Sequence, residues 1–163
     1  MLALENFILL SLITFIGLIC GSFLIIFFAY EEHAKGEEYF VILQRVTIVL
    51  IALFLIYQTI FSFSIWNIIL AAMLLMLFGF TYKNINNHYF YILFALILVF
   101  NTKNPISALV VSTLIFFYGI VAGTLIVREY EWKDALLNCL TYIHYPILSV
   151  ILFLVLPLFI PNL

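Results

Sequence analysis

The chain has 163 residues, of which 67% are hydrophobic, 18% aromatic and only 9% charged, with a formal net charge of −2 and a mean hydropathy of +1.30. A soluble domain carries about 25% charged residues, so this chain lacks the polar surface to cover itself in water. Six Lys and Arg make no basic face for nucleic acid, and the apolar excess excludes a disordered chain.

A bilayer crossing takes about 20 apolar residues. Six apolar segments can be drawn, over 6–30, 46–63, 65–81, 87–100, 105–127 and 135–160. The expected fold class is all-α: a polytopic transmembrane helical bundle of about six spans, one integral membrane domain with no soluble part. Residues 1–6 hold no Lys or Arg before the first apolar run, which is long enough to span. It reads as a mature helix rather than a signal peptide. Cys20 and Cys139 both lie in apolar stretches and read as packing thiols.

Boundaries carry the usual punctuation. Asn104-Pro105 places an acceptor at an N-cap and proline at the first helical position. Ser64 and Asn87 can cap the third and fourth helices in the same way, and residues 83–87 form a turn between them. At about 1.5 Å per residue the fourth segment reaches about 21 Å, short of a core about 30 Å thick, and the third is little longer. Two short spans in a locally thinned bilayer account for this, and a re-entrant hairpin is the alternative.

Charge sets orientation. The first, third and fifth loops hold Lys35, Arg45, Lys83, Arg128 and Lys133, and the opposite side holds Lys103. The positive-inside rule puts the odd loops in the cytoplasm and both termini outside, in the cell membrane. Aromatic residues near segment ends, among them Tyr30, Tyr39, Phe40, Trp66, Tyr82, Tyr89, Tyr91, Tyr130 and Trp132, read as an interfacial belt.

Small residues that allow close approach are the packing signal in lipid. Gly17 and Gly21 form one GxxxG pair and Gly119 and Gly123 another. Ala108, Ser112, Gly119, Ala122 and Gly123 make a stripe on the fifth helix, a contact surface inside the bundle or between copies. The first two and last two helices also echo one another: a GxxxG span, an acidic loop with Glu-Tyr, then another span.

The polar clusters are few. Glu31, Glu32, His33, Glu37 and Glu38 crowd the first loop, which reads as a solvated cytoplasmic turn because Gly36 interrupts any single helical face. Glu31-Glu32 resembles the signature of the CAAX-processing type of intramembrane protease. Gly36 stands where that family has arginine and no Phe-x-x-x-His follows, so its active site does not carry over. Gly21-Ser22-Phe23-Leu24 is similar to the first helix of prepilin peptidases, which need two aspartates; this chain has Asp134 alone. One aspartate also argues against magnesium-dependent lipid enzymes.

The intramembrane feature of interest is 138–149. Asn138, Thr141, Tyr142, Tyr145 and Ser149 fall on one helical face with His144 beside it, and Pro146 should kink the helix and free the Tyr142 carbonyl. The alternative ends an amphipathic surface helix at Tyr145 and opens a shorter final span at Pro146. No cofactor or metal site is expected. The expected partners are the lipid bilayer and either a second copy or another membrane protein. Two roles follow: a non-catalytic scaffold, assembly or accessory subunit packing through its glycine helices, or a small transporter or channel with a polar path around Asn138, Tyr142, His144 and Ser149. A lipid-acting enzyme working from His144, tyrosines and the Glu-rich loop is the third.

Overall fold

The structure, a computed structural model, describes residues 3–24, 30–62, 65–82, 87–129 and 132–159. Seven helices carry them: α1 (Leu4–Leu24), α2 (Tyr30–Ser62), α3 (Ile65–Phe80), α4 (Asn87–Phe100), α5 (Pro105–Glu129), α6 (Trp132–Thr141) and α7 (His144–Phe159). There is no strand among the described residues. Four apolar stretches are long enough to cross a membrane: Leu4–Leu24, Glu38–Ile60, Pro105–Val127 and Leu137–Phe159. Two shorter apolar helices, Ile65–Phe80 and Asn87–Phe100, complete an all-α membrane bundle.

Its outside is oil-seeking. Large apolar side chains lie bare on all four stretches long enough to cross, and the shorter α3 by itself exposes Ile65, Ile68, Met73, Met76 and Phe80. Such continuous apolar exposure is untenable in water and ordinary against lipid tails. Hydroxyls within the helices are neutralised locally: Thr47, Thr59, Thr81 and Thr113 each donate to the carbonyl one turn back.

α5 lies at the centre, against α1, α2, α4 and α6, with α1 its largest neighbour. Contacts of α1 with the last two helices run in opposite senses. Phe7 stacks on Phe153 with ring centroids 4.3 Å apart, Ser11 meets Ser149, Thr14 meets Tyr145 and Ser22 meets Cys139. Thus α6 and α7 together pass along the whole of α1, antiparallel to it. α1 and α5 are parallel instead, since Gly17 faces Phe116, Gly21 faces Ile120, and Ser22 bonds the Gly123 carbonyl.

The local signals for α5 act as read: Asn104 Oδ1 accepts from the Ile106 and Ser107 amides at 3.0 and 3.4 Å, ahead of Pro105. At the end of α4 the Asn101 side chain donates to the Ile97 carbonyl and Thr102 Oγ1 to that of Val99. Each side chain adds a second donor to a carbonyl that already accepts its own residue's backbone amide. Other boundaries differ from the sequence reading. The acidic segment 31–40 is not a turn; it is the first part of α2, which runs unbroken through Gly36. Glu, Ala and Lys are strong helix formers, and one glycine costs only about 1 kcal/mol within a long helix. Side chains of 30–37 lie outside the described residues, so Glu31, Glu32, His33 and Glu37 are placed by backbone alone, whereas Glu38 is exposed. Ser64 and 83–86 also lie outside the described residues.

The last segment is not one helix either. It breaks at Tyr142–Ile143, where the amides of Tyr142, Ile143 and Tyr145 bond three residues back, to Cys139, Leu140 and Tyr142. Pro146 cannot donate to Tyr142, and the Tyr145 amide takes over that carbonyl at 2.9 Å. The carbonyl expected to be free is therefore bonded.

α3 and α4 form a short antiparallel hairpin, with Trp66 on Phe100 at its base at 5.1 Å. Its other end is level with Gln44 and Arg45 of α2 and Tyr118 of α5: Arg45 Nη2 donates to the Tyr82 carbonyl at 3.0 Å and Tyr118 to Asn87 at 2.6 Å. By helix rise, Arg45 lies about 10 Å inside the apolar stretch that begins at Glu38, and Tyr118 about 14 Å from Val127. The described ends of α3 and α4 thus lie about 10–14 Å along the bundle from the ends of these two apolar stretches.

Candidate functional site

Two groups of polar residues were singled out by sequence, and the fold treats them differently. The glycines lie between α1 and α5. A Cβ at Gly17 would overlap the Phe116 carbonyl oxygen, one at Gly21 that of Ile120, and one at Gly123 that of Leu18. At Gly119 it would come within 2.9 Å of the Leu18 amide nitrogen. The contacts are reciprocal. One common offset carries Gly17 to Gly119, Leu18 to Ile120, Gly21 to Gly123 and Ser22 to Thr124, and Gly21 meets Ile120 as Gly123 meets Leu18. α1 and α5 are therefore related by a local pseudo-two-fold about an axis along the helices. Ala108 and Ser112 of the stripe are also buried.

The 138–149 cluster divides by face. Tyr142, Tyr145 and Ser149 are buried, Asn138 and His144 are half-buried, and Thr141 is exposed. Their bonds run mostly to α1 and to their own backbone. Ser149 donates to the Pro146 carbonyl at 2.9 Å and meets the Ser11 hydroxyl. Thr14 Oγ1 lies 2.7 Å from the Ser11 carbonyl and 2.9 Å from the Tyr145 hydroxyl. A threonine has one proton to give, so donation to Ser11 leaves Tyr145 as donor to Thr14. Ser22 Oγ sits 2.9 Å from Cys139 Sγ and 3.1 Å from the Gly123 carbonyl, tying α6, α1 and α5 together. Cys139 and Cys20 are both free thiols. On the outer face Thr141 donates to the Asn138 carbonyl at 2.6 Å, and His144 Nδ1 lies 2.7 Å from the Thr141 carbonyl. The residues expected on one polar face are divided between buried and exposed sides, about the break at Tyr142–Ile143.

A third group was not anticipated. His88, at the start of α4, stacks on Tyr142 with centroids 4.1 Å apart and planes within 6°, and lies 5.5 Å from the His144 ring. Beside it Asn87 does not cap its own helix as expected. Its Oδ1 accepts from Gln44 Nε2 at 2.8 Å and from Tyr118. Arg45 lies over the Tyr82 ring, 4.1 Å from the centroid. Tyr91 is not interfacial: it is fully buried among Tyr118, Tyr142 and Tyr145, its hydroxyl without a partner and turned to the α1–α5 crossing at Gly119. α4 is enclosed by α3, α5 and α7, so a ring near its start enters the core. The sequence did carry a signal for this group, since Gln44-Arg45 and Asn87-His88 are among the polar pairs flanking apolar runs.

What this arrangement does chemically is limited. Among the described residues no three His, Cys, Asp or Glu gather as a metal site. Comparison with protein-family models, curated proteins and solved structures gave no match. A guanidinium at depth is costly, about 3 kcal/mol at a helix centre on insertion scales, and a ring beneath it returns about 1–2 kcal/mol when desolvated.

Proposed function

We propose that the chain is a multi-pass protein of the cell membrane that acts as a non-catalytic scaffold, assembly or accessory subunit. The observation that carries this is the use of its polar interior. Ser11, Thr14, Ser22, Cys139, Tyr145 and Ser149 bond to one another or to backbone across helices. Residues spent in this way stiffen a bundle and are not free to line a polar path. The two glycine pairs are spent on each other, which supports tight packing within one copy rather than between copies. Partners then meet the outward helix faces or the ends. The charge bias supports cytoplasmic odd loops with both termini outside.

The test is solute flux into vesicles holding the purified chain, alongside recovery in mild detergent. A fixed stoichiometric partner and no flux support the scaffold. Flux by the parent that Asn138→Leu and His144→Ala abolish refutes it. That outcome belongs to the second reading, a small transporter. One observation favours it: His88 and His144, both half-buried, bring their rings to 5.5 Å from each other.

A further inference from the structure

His88 and His144 belong to helices remote in sequence, and the fold lays their rings side by side. Each ring is held in place by the protein. Nδ1 of His144 is 2.7 Å from the Thr141 carbonyl oxygen. A carbonyl only accepts, so Nδ1 carries the ring proton and Nε2 keeps its lone pair. An imidazole bonded to a backbone carbonyl in this way has the tautomer and orientation of a metal-binding histidine. The His88 ring lies flat on Tyr142, within 6° of parallel, and Tyr142 is itself buried.

The ring separations show how the two imidazoles face. Centres are 4.1 Å apart for His88 and Tyr142, 5.5 Å for His88 and His144, and 6.2 Å for Tyr142 and His144. Seen from His88, these lengths put His144 nearly at a right angle to the direction of Tyr142. His144 therefore lies beside the His88 ring, not over its face, with the two planes 23° apart. An ion about 2.0–2.1 Å from a ring nitrogen stands about 3.2 Å from that ring's centre, so two imidazoles sharing it have centres about 5.2 Å apart at a tetrahedral angle and about 6.4 Å apart when opposed. The observed 5.5 Å falls between these limits. Imidazole nitrogens suit zinc, copper and nickel, whereas magnesium and calcium want several oxygens. Both rings are half-buried, so neither is sealed from the outside.

We propose that His88 and His144 together bind one divalent transition-metal ion. The ion clamps the start of α4 to the start of α7, two helices that already pack together, and exchangeable ligands such as water complete its coordination. The clamp acts on the fold, independently of whether the protein is a scaffold or a transporter.

Copper binding by the full chain, purified without a histidine tag, tests this. The chain has three histidines, so His33→Ala leaves His88 and His144 as its only imidazoles; Cys20→Ala is added to remove the less buried thiol. Pulsed electron paramagnetic resonance of Cu²⁺ added below one equivalent counts the imidazoles on the ion. Two should be found, with saturation at one ion per chain. His88→Gln and His144→Gln should each leave one imidazole and lower the affinity at least tenfold. Zn²⁺ should raise the midpoint of unfolding in denaturing detergent for the His33→Ala, Cys20→Ala protein and not for its His88→Gln variant. The imidazole count is read without altering either ligand, so it decides the matter even where a ligand variant does not fold. One imidazole or none on the ion overturns the proposal, as does one ion shared between two chains. An equal Zn²⁺ response with and without His88 overturns the clamp.

Discussion

Gly21→Ala tests the central contact of the bundle. The added Cβ would fall on the carbonyl oxygen of Ile120, part of a rigid helix backbone that has no rotamer to move away. Relief requires α1 and α5 to separate locally by about 1 Å, and such a gap forfeits a quarter to a half of each atom-pair attraction. If the contact loosened is about the size of one buried leucine side chain, about 40–60 atom pairs at about 0.1–0.2 kcal/mol each, the loss is about 2–3 kcal/mol after lipid and side chains refill part of the gap. That is a shift of about 30–150-fold in the folding equilibrium. The assay is unfolding of the purified chain by denaturing detergent, followed by circular dichroism. Gly123→Ala, set against Leu18 by the pseudo-symmetry, should cost a similar amount. Gly79→Ala is the control: nothing lies within 4 Å of its Cβ, and alanine favours helix, so stability should hold or rise. A Gly21→Ala variant that unfolds at the parent's midpoint would refute the packing argument.

Other outcomes follow from the polar contacts. A double-mutant cycle on Thr14→Val and Tyr145→Phe should give a coupling of about 0.6–1.5 kcal/mol, read from the same unfolding curves, since both hydroxyls are buried and face each other at 2.9 Å. Gln44→Leu should destabilise by about 0.5–1 kcal/mol, because Asn87 keeps its stronger bond to Tyr118; a loss several times larger would show that Gln44 anchors the hairpin. Tyr82→Cys in a background lacking both native thiols should react with a membrane-impermeant thiol reagent from the same side as Glu38→Cys, and labelling only from the other side would contradict the hairpin's level. By the charge bias, tags at both termini should be cleaved by protease added outside intact cells, and protection of either tag would overturn the proposed threading.

Composition and spacing settle the solvent of this protein and the local punctuation of its helices. Mean hydropathy dictates lipid, Asn104-Pro105 starts α5, and the glycine pairs mark faces that admit close approach. Each of these depends on residues within a turn or two of each other. Which faces meet is a different matter. Lipid tails are as apolar as leucine, so hydrophobicity does not separate inside from outside as it does in water. The choice falls to steric fit and to hydrogen bonds between residues remote in sequence. Ser11 and Ser149 are paired, Gln44 finds Asn87, and α1 meets α5 glycine to backbone. Tyr91 goes to the core because three helices enclose α4, although position alone would leave it at an interface. The level at which α3 and α4 sit, with Arg45 on the Tyr82 carbonyl and Tyr118 on Asn87, exists only once α2 and α5 have been laid against them. The short lengths of α3 and α4 were legible along the chain; helix level is a relation between neighbours that no single segment encodes.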